Sequence, residues 1–192
     1  MKPITTTLNA IIRHAPCKDG WKKLLRYLGK TEADDEPLAL TTVLESNGLD
    51  HAVWCLRALP ESEQWRVRLF AVACAEQVKH LMTDERSLNA LRVAEAYALG
   101  FATINELCAA EEEAWDAAWD ATLDADKDAA SGDAAWYAAW YVDYEAAFWA
   151  ARAAWAARVA DRDSARYKQE TLFKAYFGSP LPKAHYIEQY TK

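Results

Sequence analysis

His14-x-x-Cys17 and His51-x-x-x-Cys55 each place an imidazole and a thiol within one helical turn. Zinc could use either spacing, and the second brings both side chains to one helix face. Each pair also reads as ordinary packing: Cys55 falls inside the apolar run "AVWCL", and Cys17 follows Pro16 beside a turn. His80 and His185 stand apart from other candidate ligands. Asp34 and Asp35 put two carboxylates together, as general acid–base chemistry can require, but their place in a turn ahead of Pro37 suits helix capping. The chain contains no phosphate-binding GxxxxGK[ST], no GxSxG, no HExxH and no glycine-rich dinucleotide turn. The expectation is a protein without catalytic residues, without a bound metal and without a cofactor.

A different kind of chemistry is suggested by Glu113, Asp116, Asp120, Asp124 and Asp128. Their steps of three, four, four and four residues draw one slowly winding ridge along a helix. Trp115, Trp119 and Leu123 fall about 100° away, on the side that would be buried. Carboxylates four residues apart stand about 6 Å apart along the axis and repel by roughly 0.2–0.5 kcal/mol per pair. Aspartate is also a mediocre helix former, so the ridge is a costly way to make a merely soluble face. Its spacing is comparable to that of successive phosphates along one nucleic-acid strand. Such a ridge could occupy the basic cleft of a nuclease, guided there by charge. The competing readings are a solvated face, or internal pairing with the basic first thirty residues.

Those residues need elements to hold them, and the chain reads as helix nearly throughout. In "DGWKKLLRYLGK", Trp21, Leu24, Leu25 and Leu28 recur at helical spacing and Gly29 supplies a stop. Pro37 suits the first turn of a helix that ends at Asn47-Gly48, and Asp50 is expected to cap the next, which stops before Pro60. The apolar segment from Ser62 is expected to cross the core. Asp84 can cap a helix that halts at Gly100, and Thr103 with Glu106 forms a capping-box pattern. From there no strong breaker occurs before "SGD" at Ser131 to Asp133, so two long helices over about 103–130 and 133–177 should form an antiparallel hairpin. Nothing alternates with period two for long enough to build a sheet. The expected fold is all-α: a compact multi-helix domain over residues 1–100, a long Ala- and Trp-rich antiparallel helical hairpin over 101–178 packed on it, and a C-terminal tail over 179–192.

Ala134 to Arg158 is the most unusual segment. Trp136, Trp140, Tyr144 and Phe148 step along one stripe, widened by Tyr137, Tyr141 and Trp155, while alanines fill most of the opposite side. The stripe reads as internal packing, with Trp149 off it and therefore the candidate exposed contact for a partner. Asp143, Glu145 and Arg152 interrupt the stretch, so it does not read as a membrane span.

Composition agrees with this organisation. The 192 residues are 52% hydrophobic and 12% aromatic, enough for a substantial core, and carry only 6 glycines and 6 prolines, which favours long helices over many strands. A net charge of -7 argues against direct nucleic-acid or membrane-surface binding. Cys17, Cys55, Cys74 and Cys108 lie far apart, and the N-terminus lacks a continuous apolar signal segment, so reduced thiols and a cytoplasmic location are expected.

Several runs resemble a known group. "PCKDGW" (Pro16 to Trp21), "LGKTEADD" (Leu28 to Asp35), "SNGLD" (Ser46 to Asp50), "WCLRA" (Trp54 to Ala58) and "HLMTD" (His80 to Asp84), followed by the acidic Ala/Trp tail, resemble the immunity-protein-5-like family. Its members are assigned as immunity proteins of bacterial polymorphic toxin systems and also occur in phage genomes. The resemblance spans about residues 5–160; it departs at His51, where a second acidic residue is common, and at "ALGFATINEL", where a more polar turn is usual. It implies a non-catalytic α-helical protein that neutralises a partner by binding it, a toxin or, in phage counter-defence, a host defence effector; the acidic ridge adds the expectation that this partner is basic, such as a nuclease. The expected contacts are Glu113, Asp116, Asp120, Asp124 and Asp128, then Trp149. The alternative is a structural protein that assembles into a homodimer or larger oligomer through its Ala/Trp helices.

Overall fold

A computed structural model describes residues 2–77, 79, 84–123 and 162–191, and among them the chain is all-α apart from one minimal strand pair. Thr5–Thr6 (β1) pairs antiparallel with Leu38–Ala39 (β2), Thr5 opposite Ala39 and Thr6 opposite Leu38. The helices are α1 (Leu8–Ile12), α2 (Lys18–Leu28), α3 (Leu40–Asn47), α4 (Leu49–Trp54), α5 (Gln64–Glu76), α6 (Glu85–Leu99), α7 (Ile104–Leu123), α8 (Arg162–Phe173) and α9 (Lys183–Tyr190). Short 3-10 turns at Cys55–Ala58 and Glu61–Glu63 lead from α4 to α5, and a π turn at Lys174–Gly178 follows α8. The second helix of the expected hairpin lies largely outside the described residues. No described helix is long and apolar enough to cross a membrane.

Local sequence rules explain most of the ends. Gly29 (φ 65°) and Gly100 (φ 94°) take the left-handed conformation that terminates α2 and α6, and the N–H of each returns to the preceding turn. Asp84 caps α6 by accepting from Arg86 N. At α7, Thr103 N donates to Glu106 Oε2 at 2.7 Å while Glu106 N donates to Thr103 Oγ1 at 3.3 Å, a reciprocal capping box.

The departures come from longer-range pairing. Pro37 does not open α3: Leu38 and Ala39 are held extended by the strand opposite, so the helix starts at Leu40. Asp50 does not cap α4, because that helix already begins at Leu49 behind Gly48 (φ 87°), whose left-handed backbone suits glycine. α1 was not among the expected helices; Thr7 caps it by accepting from Ala10 N at 3.0 Å.

The core gathers residues distant in sequence. Leu8, Ile11, Leu24, Leu40, Val43, Leu49, Val53, Leu56, Phe70 and Leu91 meet Phe173 and Phe177 in one buried cluster. Phe70 packs edge-on against Phe173 and Phe177, with ring centroids 5.7 and 5.5 Å away. Each such side chain contributes roughly 1.5–3 kcal/mol through burial alone. Backbone bonds from Ile4 N to Phe177 O (2.8 Å) and from Leu40 N to Ile4 O (3.2 Å) tie the two chain ends of this cluster together. Arg66 is buried, but its guanidinium donates to Glu63 Oε2 at 2.8 Å and to Leu181 O at 3.0 Å and lies over the Trp65 ring. The charge is thus compensated, as burial requires.

α6 and α7 pack along small residues. Ala90, Ala110 and Ala114 form one buried contact, and Val72, Ala94 and Leu107 another. Alanine at the seam lets the two backbones approach closely, and the seam decides which face of α7 remains in water.

Candidate functional site

α2, α3 and α4 meet at a corner where chemistry-bearing side chains converge. A cavity of about 190 Å³ opens there, walled by Ile11, Trp21, Leu24, Val43, Trp54 and Cys55. Cys17, Gly20, Asn47, Asp50 and His51 line it as well. Cys17 is the residue immediately before α2, where its side chain caps no backbone N–H and is exposed. Instead its Sγ lies 3.6 Å from His51 Nε2, a sulfur–nitrogen hydrogen-bond distance.

Gly20 explains how a helix and an imidazole come so close. Glycine inside a helix costs about 1 kcal/mol relative to alanine, so its place in the first turns of α2 calls for a reason. A Cβ built there would stand 2.5 Å from His51 Nε2 and 2.9 Å from Cys17 Sγ. A side chain there would push the imidazole and the thiol out of their present positions. Asn47, at the end of α3, fixes the same point by donating from Nδ2 to Gly20 O at 2.8 Å. Its Oδ1 is buried and accepts no hydrogen bond among the described residues. At the rim, Asp50 pairs with Arg166 of α8 at 3.2 Å.

The structure brings Cys17, His51 and Cys55 to one cavity and leaves His14 outside it. Cys17 meets His51 across 34 positions of sequence. Cys55 lies in the same cavity wall, where burial pushes its thiol up to about 12 and keeps it protonated. His14 lies elsewhere, on a second, more open cleft bordered by Thr5, Thr7, Arg13 and Arg57. Among the described residues no three His, Cys, Asp or Glu side chains come together around a common metal position. Asp34, of the paired carboxylates, forms an ion pair with Lys30, whose hydrogen bond holds its carboxyl below the usual carboxylate range.

The acidic ridge is partly visible. Leu107, Ala110, Ala114 and Ala117 are buried on one side of α7, while Glu112, Glu113 and Asp116 are exposed on the other. Among the described residues no basic side chain stands within ion-pair distance of Glu113 or Asp116, so internal pairing with the basic N-terminal residues is not seen. Those bases are engaged locally where they are engaged at all, as in Lys30 with Asp34 and Glu36. Asp120 falls within α7. Asp124, Asp128 and Trp149 lie outside the described residues.

Sequence reasoning noted Cys17 and His51 in two separate spacings, left open whether the four residues cluster, and gave Gly20 and Asn47 no part in a site. The signal available was Gly20 itself, an apparently wasteful glycine inside a strongly amphipathic helix, which marks a close approach. Comparison with protein-family models, with curated proteins and with solved structures finds no match to this chain.

Proposed function

We propose that this is a non-catalytic inhibitory binding protein whose acidic helical surface neutralises a basic protein partner: a toxin, a nuclease, or a defence effector. The observation that supports the reading is the division of α7. One face is closed against α6 by alanines and Leu107, and the other presents Glu112, Glu113 and Asp116 to solvent. Carboxylates on a packed helix are preorganised, so a partner need not freeze them on binding. In this reading the ridge runs on through Asp120, Asp124 and Asp128 along an antiparallel helical hairpin, as their spacing and the lack of a strong breaker before Ser131 suggest.

A partner with a basic cleft would be steered by these charges, and its affinity should fall as salt rises. Reversing Asp116, Asp120 and Asp124 together to lysine should weaken capture of the partner from toxin-producing or phage-infected cells by about a hundredfold or more. Circular dichroism should show helix content retained. Equal capture by the wild type and the folded triple variant would sink the acidic-surface reading. Loss of a self-associated species in light scattering, without loss of any other partner, would assign the same face to assembly instead.

A further inference from the structure

The Cys17–His51 corner has no part in the acidic-surface reading, yet it joins three features that rarely coincide by chance. A thiol and an imidazole stand 3.6 Å apart in the lining of a carbon-walled cavity, and the contact depends on a glycine inside a helix. We propose that Cys17 is an S-acylation site, which takes a short acyl group from an acyl thioester and houses the acyl tail in the cavity between α2, α3 and α4.

The chemistry balances with the groups present and the thioester alone. His51 Nε2 accepts the Cys17 thiol proton as sulfur attacks the thioester carbonyl and the carbonyl π electrons move to oxygen. The opening turn of α2 leaves backbone N–H groups without helical acceptors, donors of the kind that stabilise such a tetrahedral oxyanion. On collapse the bond to the departing sulfur breaks, the leaving thiolate takes the proton from His51, and the products are S-acyl Cys17 and a free thiol. No oxidant or reductant is needed.

The cavity sets the class of acyl group. An apolar cavity of about 150 Å³ accommodates benzene, so one of about 190 Å³ suits a tail of roughly six carbons. The lining offers Trp21, Leu24, Val43 and Trp54 to such a tail, and the exposed Cys17 thiol, beside the His51 imidazole in the same lining, would take the carbonyl. Cys55 is a poor competitor within the same cavity, because burial keeps its sulfur protonated.

The protein supplies its own control thiol in Cys108, which is exposed on α7. The full chain is incubated with acetyl, hexanoyl and palmitoyl thioesters of N-acetylcysteamine, and adducts are mapped by intact mass and peptide sequencing. The expected result is hexanoyl transfer to Cys17 at least about tenfold faster than to Cys108, with hexanoyl favoured over both other chains. His51→Gln should slow the Cys17 reaction about a hundredfold, in the range of a lost general base, and leave Cys108 unchanged. Gly20→Ala should slow it too by displacing the imidazole. Equal rates at Cys17 and Cys108, or indifference at Cys17 to chain length, would overturn the proposal. Both readouts come from the wild-type protein, so they decide the matter even if a variant misfolds.

Discussion

The corner of α2, α3 and α4 and the outer face of α7 are opposites in construction. The corner is concave and carbon-lined, and its polar groups arrive from three helices to meet within hydrogen-bonding reach. The α7 face is convex and charged, and its carboxylates come from one helix without converging on any point. Convergence suits selective contact with a small group, because each helix fixes one coordinate of the arrangement. A charged ridge suits a large partner, because one helix repeats the same feature at fixed intervals. The two regions should therefore respond differently to mutation, salt and pH.

The largest expected effect separates the two faces of α7 from each other. Leu107 is fully buried against Val72 and Ala94, so Leu107→Ala should destabilise the fold by about 2–5 kcal/mol. Glu113, exposed and without a basic partner among the described residues, should tolerate Glu113→Ala within about 0.5 kcal/mol. Urea denaturation of both variants measures the contrast. A Glu113→Ala loss comparable to that of Leu107→Ala would mean that the ridge is structural, and the division between the faces would fail.

How far each region was legible in the sequence follows the range of the interactions that build it. Gly29, Gly100, Asp84 and the Thr103–Glu106 capping box act within one helical turn, and each ends or begins a helix where its type predicts. The spacing of Glu113 and Asp116 likewise places both on the solvent side of α7. The corner could not be read this way. Local spacing sets Cys17 near His14 and Cys55 near His51 but leaves open whether the four cluster, because it compares only near neighbours in the chain. The fold instead turns through α3 and brings Cys17 to His51, leaving His14 on another cleft. The strand pair failed for the same reason: nothing within Leu38–Ala39 announces that Thr5–Thr6 will hold it extended. Phe173 and Phe177 joining the core of the N-terminal helices is a further non-local event.

A smaller effect concerns the rim of the corner. The Asp50–Arg166 pair links α4 to α8 at 3.2 Å, with both side chains substantially in water. Asp50→Ala should cost no more than about 1 kcal/mol, and the cost should fade in concentrated salt. Thermal denaturation at low and high ionic strength checks this. A loss that persists in high salt would show the rim to be a packed part of the corner rather than a screened surface contact.

The smallest effect is confined to the start of α7. The Thr103 backbone N–H and hydroxyl, in that order, hold the Glu106 carboxyl below its usual range. A carboxylate whose proton affinity is lower in the folded state binds fewer protons there than in the unfolded chain. Its contribution is therefore present above the unfolded glutamate pKa of 4.5 and is lost as pH falls through the lower, folded value. Glu106→Gln keeps the side-chain length but removes the charge. The wild type should melt slightly higher than this variant at neutral pH, with the difference shrinking as the solution is acidified below the usual glutamate range. The cap lies about two turns before the exposed Glu112 and Glu113, so fraying there should expose the first α7 amides to hydrogen exchange in acid while the amides of α2, at the corner, stay protected. Parallel loss of protection in both helices would mean that the corner and the ridge unfold as one unit, and their contrast would then be one of surface chemistry alone.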